Sequence, residues 1–191
     1  MKLFIAVLVL IFSLQSWTKA GDISEFEIEG ISIGDSLLDH YSEEEIKNFQ
    51  KYYYPSSKEF FATGTDADSV NYDFIQMSVT NDDKYIIHSL SGKLLYKNNF
   101  EKCKKKMNLI IKDITNIFPE NVEIRNEKLA KMPADKTGKS VNTNTTFFFQ
   151  NKDYITVECS DWTDEMGFRD NLKVRFSTNF YNQWLVNEAN N

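Results

Sequence analysis

Apolar positions along this chain recur with two different spacings, and the change from one to the other marks where strands give way to helices. Phe26, Ile28, Ile31 and Ile33 alternate with polar residues, which predicts a short half-buried strand broken at Gly30. Gly34-Asp35-Ser36 then turns the chain into Leu37-Leu38. Ser42-Glu43-Glu44-Glu45 is a capping-box sequence, in which the Ser42 hydroxyl takes a free backbone N–H while Glu45 reaches back. It predicts a helix from about Ser42 to Lys51 that carries Ile46 and Phe49 inward. The helix ends by Tyr54-Pro55, because a residue before proline avoids helical geometry.

Strand signals follow. Glu59–Thr63 reads as a short strand closed by a polar turn over Gly64–Ser69. Tyr72–Thr80 and Lys84–Leu90 flank Asn81-Asp82-Asp83 as a hairpin, with Ile75, Met77 and Val79 on one face. Ser91-Gly92 reads as another turn before Lys93–Tyr96. The clearest element is a helix from about Asn99 to Phe118. Phe100, Cys103, Met107, Ile110, Ile111, Ile114, Ile117 and Phe118 keep helical spacing, five lysines take the other sides, and Pro119 is the stop.

The stretch from Lys128 to Asn144 is poor in apolar residues and reads as a long surface loop. Thr145–Gln150 and Asp153–Cys159 form a hairpin turning at Asn151-Lys152, Asp161–Asp170 is an acidic loop, and Leu172–Ser177 is a last strand. Phe180, Tyr181, Trp184 and Leu185 suggest a short terminal helix. Hairpins grouped on either side of one long helix predict an α+β domain: an antiparallel sheet with that amphipathic helix packed on one face.

The first twenty residues follow a different pattern. Lys2, an apolar run from Leu3 to Phe12, and small residues at Thr18 and Ala20 are the charge, core and cleavage-site order of a secretory signal. The run is too short to span a membrane, which takes about 20 apolar residues. The expectation is residues 1–20 as a signal peptide and 21–191 as a single domain, exported, to a periplasm first and to the medium as the alternative. No cysteine adjoins the cleavage point to carry a lipid, so no membrane anchor is expected after cleavage. Removing Lys2 and Lys19 leaves 20 basic against 28 acidic residues, a net charge of −8. Such a surface repels phosphate backbones and anionic lipid, which argues against nucleic acid and membrane-surface partners.

An exported location changes the reading of the two cysteines. Cys103 lies on the apolar stripe of the long helix, and Cys159 shares a strand face with Ile155 and Val157. Both point into one helix–sheet interface, where an oxidising compartment pairs them. The loop closed spans 56 positions, for which chain entropy contributes about 4 kcal/mol. A redox pair would lie close together as Cys-x-x-Cys. Cys103 and Cys159 are therefore expected to form a structural disulfide.

Candidate chemistry is sparse. Asp66/Asp68 and Asp161/Asp164/Glu165 do not follow the spacing of a calcium loop and read as solvated loops, with calcium binding as the alternative; two histidines with two paired cysteines make no zinc site, so no metal or cofactor is expected. Of the aromatic runs Tyr52-Tyr53-Tyr54, Phe60-Phe61 and Phe147-Phe148-Phe149, alternate rings fall on opposite faces, which makes Phe148 a candidate contact residue. Asn144-Thr145-Thr146 is a formal glycosylation acceptor.

Gly34-Asp35-Ser36-Leu37 resembles the nucleophile block of GDSL-type hydrolases. That resemblance implies a late Asp-x-x-His block supplying a base for Ser36, whereas the histidines here, His40 and His88, come early and without it. The segment Glu29-Gly30-Ile31-Ser32-Ile33-Gly34-Asp35-Ser36-Leu37-Leu38-Asp39, running into Ser42–Ile46, resembles the start of short exported proteins of small AT-rich alphaproteobacterial genomes. It implies a Gram-negative periplasm and no particular activity. A fainter likeness of Ile33–Leu37 is to envelope-assembly modules of the small outer-membrane lipoprotein type. Two function classes follow. The first is a non-catalytic binding or accessory domain contacting a protein or small ligand in the envelope. The alternative is a small serine hydrolase using Ser36. Export makes the first testable prediction: mass spectrometry of the natural protein should find its first residue at Gly21, and a chain retaining Met1 would point to an uncleaved anchor.

Overall fold

The computed structural model describes residues 22–67, 69–118 and 122–189. The signal-peptide reading of residues 1–20 lies outside the described residues, as do Asp68 and Pro119. The fold is mixed α+β and its sheets are antiparallel throughout. The antiparallel sheet is larger than a pattern of hairpins implies: among the described residues eight strands form one sheet, beside a separate two-stranded one.

The first strands among the described residues form a two-strand ribbon, β1 (Glu27–Ile28) and β2 (Ile31–Ser32). Glu29 and Gly30 both take positive φ between them, the backbone twist that joins antiparallel strands through two residues. Gly34, also at positive φ, lets the chain fold back so that its N–H reaches the Ile87 carbonyl at 2.9 Å. Helix α1 (Glu43–Asn48) opens on the expected Ser42–Glu45 capping box. It stops at Phe49, short of the expected Lys51, because Phe49 takes extended backbone and packs edge-on against Tyr41.

Four strands then run as a meander: β3 (Tyr52–Tyr53), β4 (Phe60–Asp66), β5 (Phe74–Thr80) and β6 (Ile87–Leu95). Helix α2 (Phe100–Ile117) follows, capped by Asn99. A second meander comprises β7 (Glu123–Lys131), β8 (Val141–Phe148), β9 (Tyr154–Asp161) and β10 (Asn171–Ser177), and α3 (Asn179–Asn187) follows it. The strand order is β3-β4-β5-β6-β10-β9-β8-β7, so the meanders meet where β6 pairs with β10.

Three expectations are corrected. The turn placed at Gly64–Ser69 begins later, since β4 continues through Gly64 to Asp66. The turn placed at Ser91-Gly92 does not exist, since β6 runs straight through it. Both glycines lie beneath aromatic rings: a Cβ would come within 2.5 Å of the Phe74 ring at Gly64 and 2.3 Å of the Tyr72 ring at Gly92. They are strand positions emptied to seat a ring. The loop expected over Lys128–Asn144 instead holds the end of β7 and the start of β8. Strand β7 is the sheet's edge and is exposed at every residue, so burial imposes no alternation on it.

One side of the sheet belongs to the main core. Phe61, Ile75, Met77, Leu90, Val157, Cys159, Leu172 and Val174 share it with Cys103, Met107 and Ile114 of α2. Phe26 joins the N-terminal segment to it, with ring centroids 5.3 Å from Phe118 and 5.5 Å from Phe176. Cys103 and Cys159 are bonded, with Cα atoms 6.0 Å apart, which ties α2 to β9. On the other side, α3 covers one end of the sheet, setting Tyr181 and Trp184 around Phe60 and Tyr54. Reducing the bond should lower stability by about 2–5 kcal/mol, seen as a drop in urea midpoint. An unchanged midpoint after complete reduction would show that packing alone holds α2 in place.

Candidate functional site

Ser36 is a helix cap. Its Oγ accepts from the Leu38 N–H at 3.1 Å and donates to the Lys84 carbonyl at 2.6 Å, while Asp39 returns a bond to the Ser36 N–H. His40 Nε2 lies 3.0 Å from Asp35 Oδ2. His88 is hydrogen-bonded to Thr178 and stacked among Phe60 and Phe180; burial holds its pKa below the ordinary value, against Asp153 and Asp82. Among the described residues neither histidine is hydrogen-bonded to Ser36. The hydroxyl proton points to a backbone carbonyl, and the local chemistry is that of a turn.

Among the described residues no three His, Cys, Asp or Glu side chains are grouped to hold a metal. Asp161 ends β9, where burial and neighbouring Asp170 raise its pKa, and Glu165 faces Lys139 at 3.8 Å. A cleft between α2 and the sheet, lined by Tyr72, Leu94, Ile110, Leu172 and Val174, has a volume of about 70 Å³. Ligand pockets run from about 300 Å³ upward, so this one is too small.

The unusual chemistry lies on the sheet face that α3 leaves partly open. Register places Asp66, Phe74, Lys93, Lys173, Glu158, Asn144 and Glu127 in one row across seven strands. The next row reads Gln76, Ser91, Arg175, Thr156 and Thr146. Two lysines thus stand directly opposite each other, an arrangement that costs stability in a sheet. Beside them Arg175 stands between Ser91 and Thr156 in the next row. Among the described residues the ion pair in this group joins Glu158 Oε1 to Lys173 Nζ at 2.9 Å.

Among the described residues, Lys93 and Arg175 have no ion-pair partner within 4.0 Å; Lys93 stands 5.7 Å from the Phe74 ring centroid. Phe148 flanks the patch on the same face, 5.8 Å from Tyr154, with the Arg125 guanidinium 4.6 Å from its ring centroid. Phe147 and Phe149 turn into the core.

The side chains of Lys173 and Glu158 are only 14% and 18% exposed, so water screens this charge poorly. Burial, with repulsion from Arg175 and Lys93, outweighs attraction to Glu158 and brings the Lys173 pKa down to about 8. Burial first, then Arg175, also lowers Lys93. For Glu158, burial pushes the pKa upward, but Lys173 and Arg175 together win and it stays below the ordinary value.

None of these charged residues is a candidate in the sequence pattern, although part of their placement is local. The alternation Leu172-Lys173-Val174-Arg175-Phe176 already sets both cations opposite the core face. Lys93 was hidden by the turn assigned to Ser91-Gly92, and the pairing of β6 with β10 has no local signature.

The chain matches no family model, no curated protein and no solved structure.

The lowered Lys173 value makes stability depend on pH with a definite sign. Between about pH 8 and the ordinary 10.5 the unfolded chain binds the extra proton, so stability rises with pH across that window. Lys93 adds in the same direction. Tyr72, raised by burial to about 12, opposes the rise only once unfolded tyrosine ionises near pH 10. Urea unfolding at about pH 7.5 and 9.5 should show a gain of about 1 kcal/mol or more in the wild type. Most of it should vanish in Lys173→Met; an equal gain in both proteins would place the titration elsewhere.

Proposed function

We propose that this chain is an exported, non-catalytic binding or accessory domain that presents the open polar face of its sheet to an anionic ligand in the cell envelope. The observation that carries the reading is the half-buried group Lys93, Lys173 and Arg175, of which only Lys173 has an ion-pair partner among the described residues, in a chain of net charge −6. Asp66 and Glu127 lie at the ends of the row, beyond Phe74 and Asn144, so the centre of the patch keeps two unpaired cations. Violations of a local rule on a stable scaffold tend to mark sites of function.

Other observations support the setting. A disulfide suits an oxidising compartment, and among the described residues no helix is long and apolar enough to cross a membrane. The secretory pattern of residues 1–20 and the resemblance to short exported alphaproteobacterial proteins favour a periplasm. In this reading α2 serves as the cover of the opposite face, pinned through Cys103, which keeps the polar face rigid and available.

A thermal-shift panel tests the proposal. Millimolar succinate, sulfate and phosphate are compared with neutral glycerol and glucose, at constant ionic strength. At least one anion should raise the melting temperature of the wild type, as any ligand that binds only the folded state does, and should lose that effect in the double variant Lys93→Gln/Arg175→Gln. Anions that leave the wild type unmoved, or stabilise the variant equally, would overturn the reading.

A further inference from the structure

Charge balance narrows the ligand further. Glu158 pairs with Lys173, and Asp66 and Glu127 stand at the two ends of the row, which leaves Lys93 and Arg175 as two half-buried cations without an ion-pair partner among the described residues. Their arrangement is set by backbone pairing: Lys93 and Lys173 are opposed across β6 and β10, and Arg175 stands two residues along β10 from Lys173. An ammonium offers a point charge, and a guanidinium offers a planar fork of N–H donors that matches two oxygens of one anion. Around them Gln76, Ser91, Thr156 and Thr146 supply neutral polar groups on the same face. The Thr146 and Thr156 hydroxyls already meet at 3.0 Å, which holds that flank in place.

A monocarboxylate would leave one of the two charges unanswered. A phosphodiester would do the same. A phosphate monoester carries close to two negative charges above its second pKa of about 6, with three free oxygens for three donors. We infer that Lys93, Lys173 and Arg175 form a binding site for the terminal phosphate of a small, soluble phosphate monoester. This inference rests on the open sheet face being the binding face. The net acidity of the chain favours a soluble ligand over a lipid surface, because an anionic membrane would be repelled by everything around the patch. Phe74 on one side and Phe148 on the other bracket the patch with apolar surface against which the rest of such a molecule can lie.

Calorimetric titration at pH 7.5 with the full mature chain tests it, using glycerol 3-phosphate, inorganic phosphate and the diester glycerophosphocholine as probes. Glycerol 3-phosphate should bind at least tenfold tighter than the diester. Lys93→Met and Arg175→Met should each weaken it at least tenfold, and Lys112→Met, on the exposed side of α2, should leave it unchanged. Circular dichroism and melting curves confirm that each variant is folded; if a single variant fails to fold, Arg175→Lys replaces it, and loss of the planar fork alone should still weaken binding. Equal affinity for monoester and diester, or wild-type affinity in the folded variants, overturns the inference. So does binding to phosphatidylcholine vesicles containing phosphatidic acid without binding to free monoesters. Stabilisation by succinate without any preference for phosphate would overturn the phosphate assignment and leave the anionic binding face standing.

Discussion

The antiparallel ladder between β6 and β10 is the interaction on which the rest of the structure depends. Seven residue pairs, from Asn171↔Leu95 to Ser177↔Ser89, join two meanders that are separated in sequence by the whole of α2. Its register settles both faces at once. Leu90, Gly92 and Leu94 meet Phe176, Val174 and Leu172 on the core side, and Ser89, Ser91 and Lys93 meet Ser177, Arg175 and Lys173 on the other. A slip of one residue would turn lysines into the core and leucines to water, so the apolar side enforces the register that opposes the two lysines.

The two faces are then closed unequally. The bond between Cys103 and Cys159 ties α2 to β9, and Phe26, Ile28 and Leu37 of the N-terminal segment belong to the same core cluster. On the opposite side α3 reaches only one end. There the sheet offers small residues, and the Ser78 hydroxyl donates to Tyr181 at 3.0 Å beneath an aromatic group of Tyr54, Phe60 and Trp184. Beyond that end the side chains grow long and charged. Folding carries the cost of two facing lysines because the core behind them is large and the ladder cannot shift to relieve it. The same ladder fixes the spacing of these charged side chains.

Legibility varied from element to element for physical reasons. The stripe of α2 and the faces of β5 and β9 were plain, because burial on one side imposes a period that composition cannot disguise. The capping box at Ser42 was equally plain, being a purely local device. Strand β7 was not, since an exposed edge strand has no buried face to write a pattern. Gly64 and Gly92 misled in a more instructive way. Glycine signals a turn when read alone, and only the rings of Phe74 and Tyr72, each brought over from the adjacent segment of the sheet, show why the position is empty.

By itself the sequence determined the helix and most strands, the antiparallel class, the turn at Gly34–Ser36 and the cysteine faces that meet in the bond between Cys103 and Cys159. These depend on local periodicity and on residue chemistry, which any window of the chain contains. Tertiary structure alone decided that β6 lies beside β10, that eight strands share one sheet, that Ser36 serves as a cap, and that Lys93 stands opposite Lys173 with Arg175 beside them and Glu158 paired with Lys173. Lys93 and Lys173 are 80 residues apart in the chain, and no local preference encodes such a pairing; it arises from burying two apolar surfaces together in the one register that keeps every leucine inside.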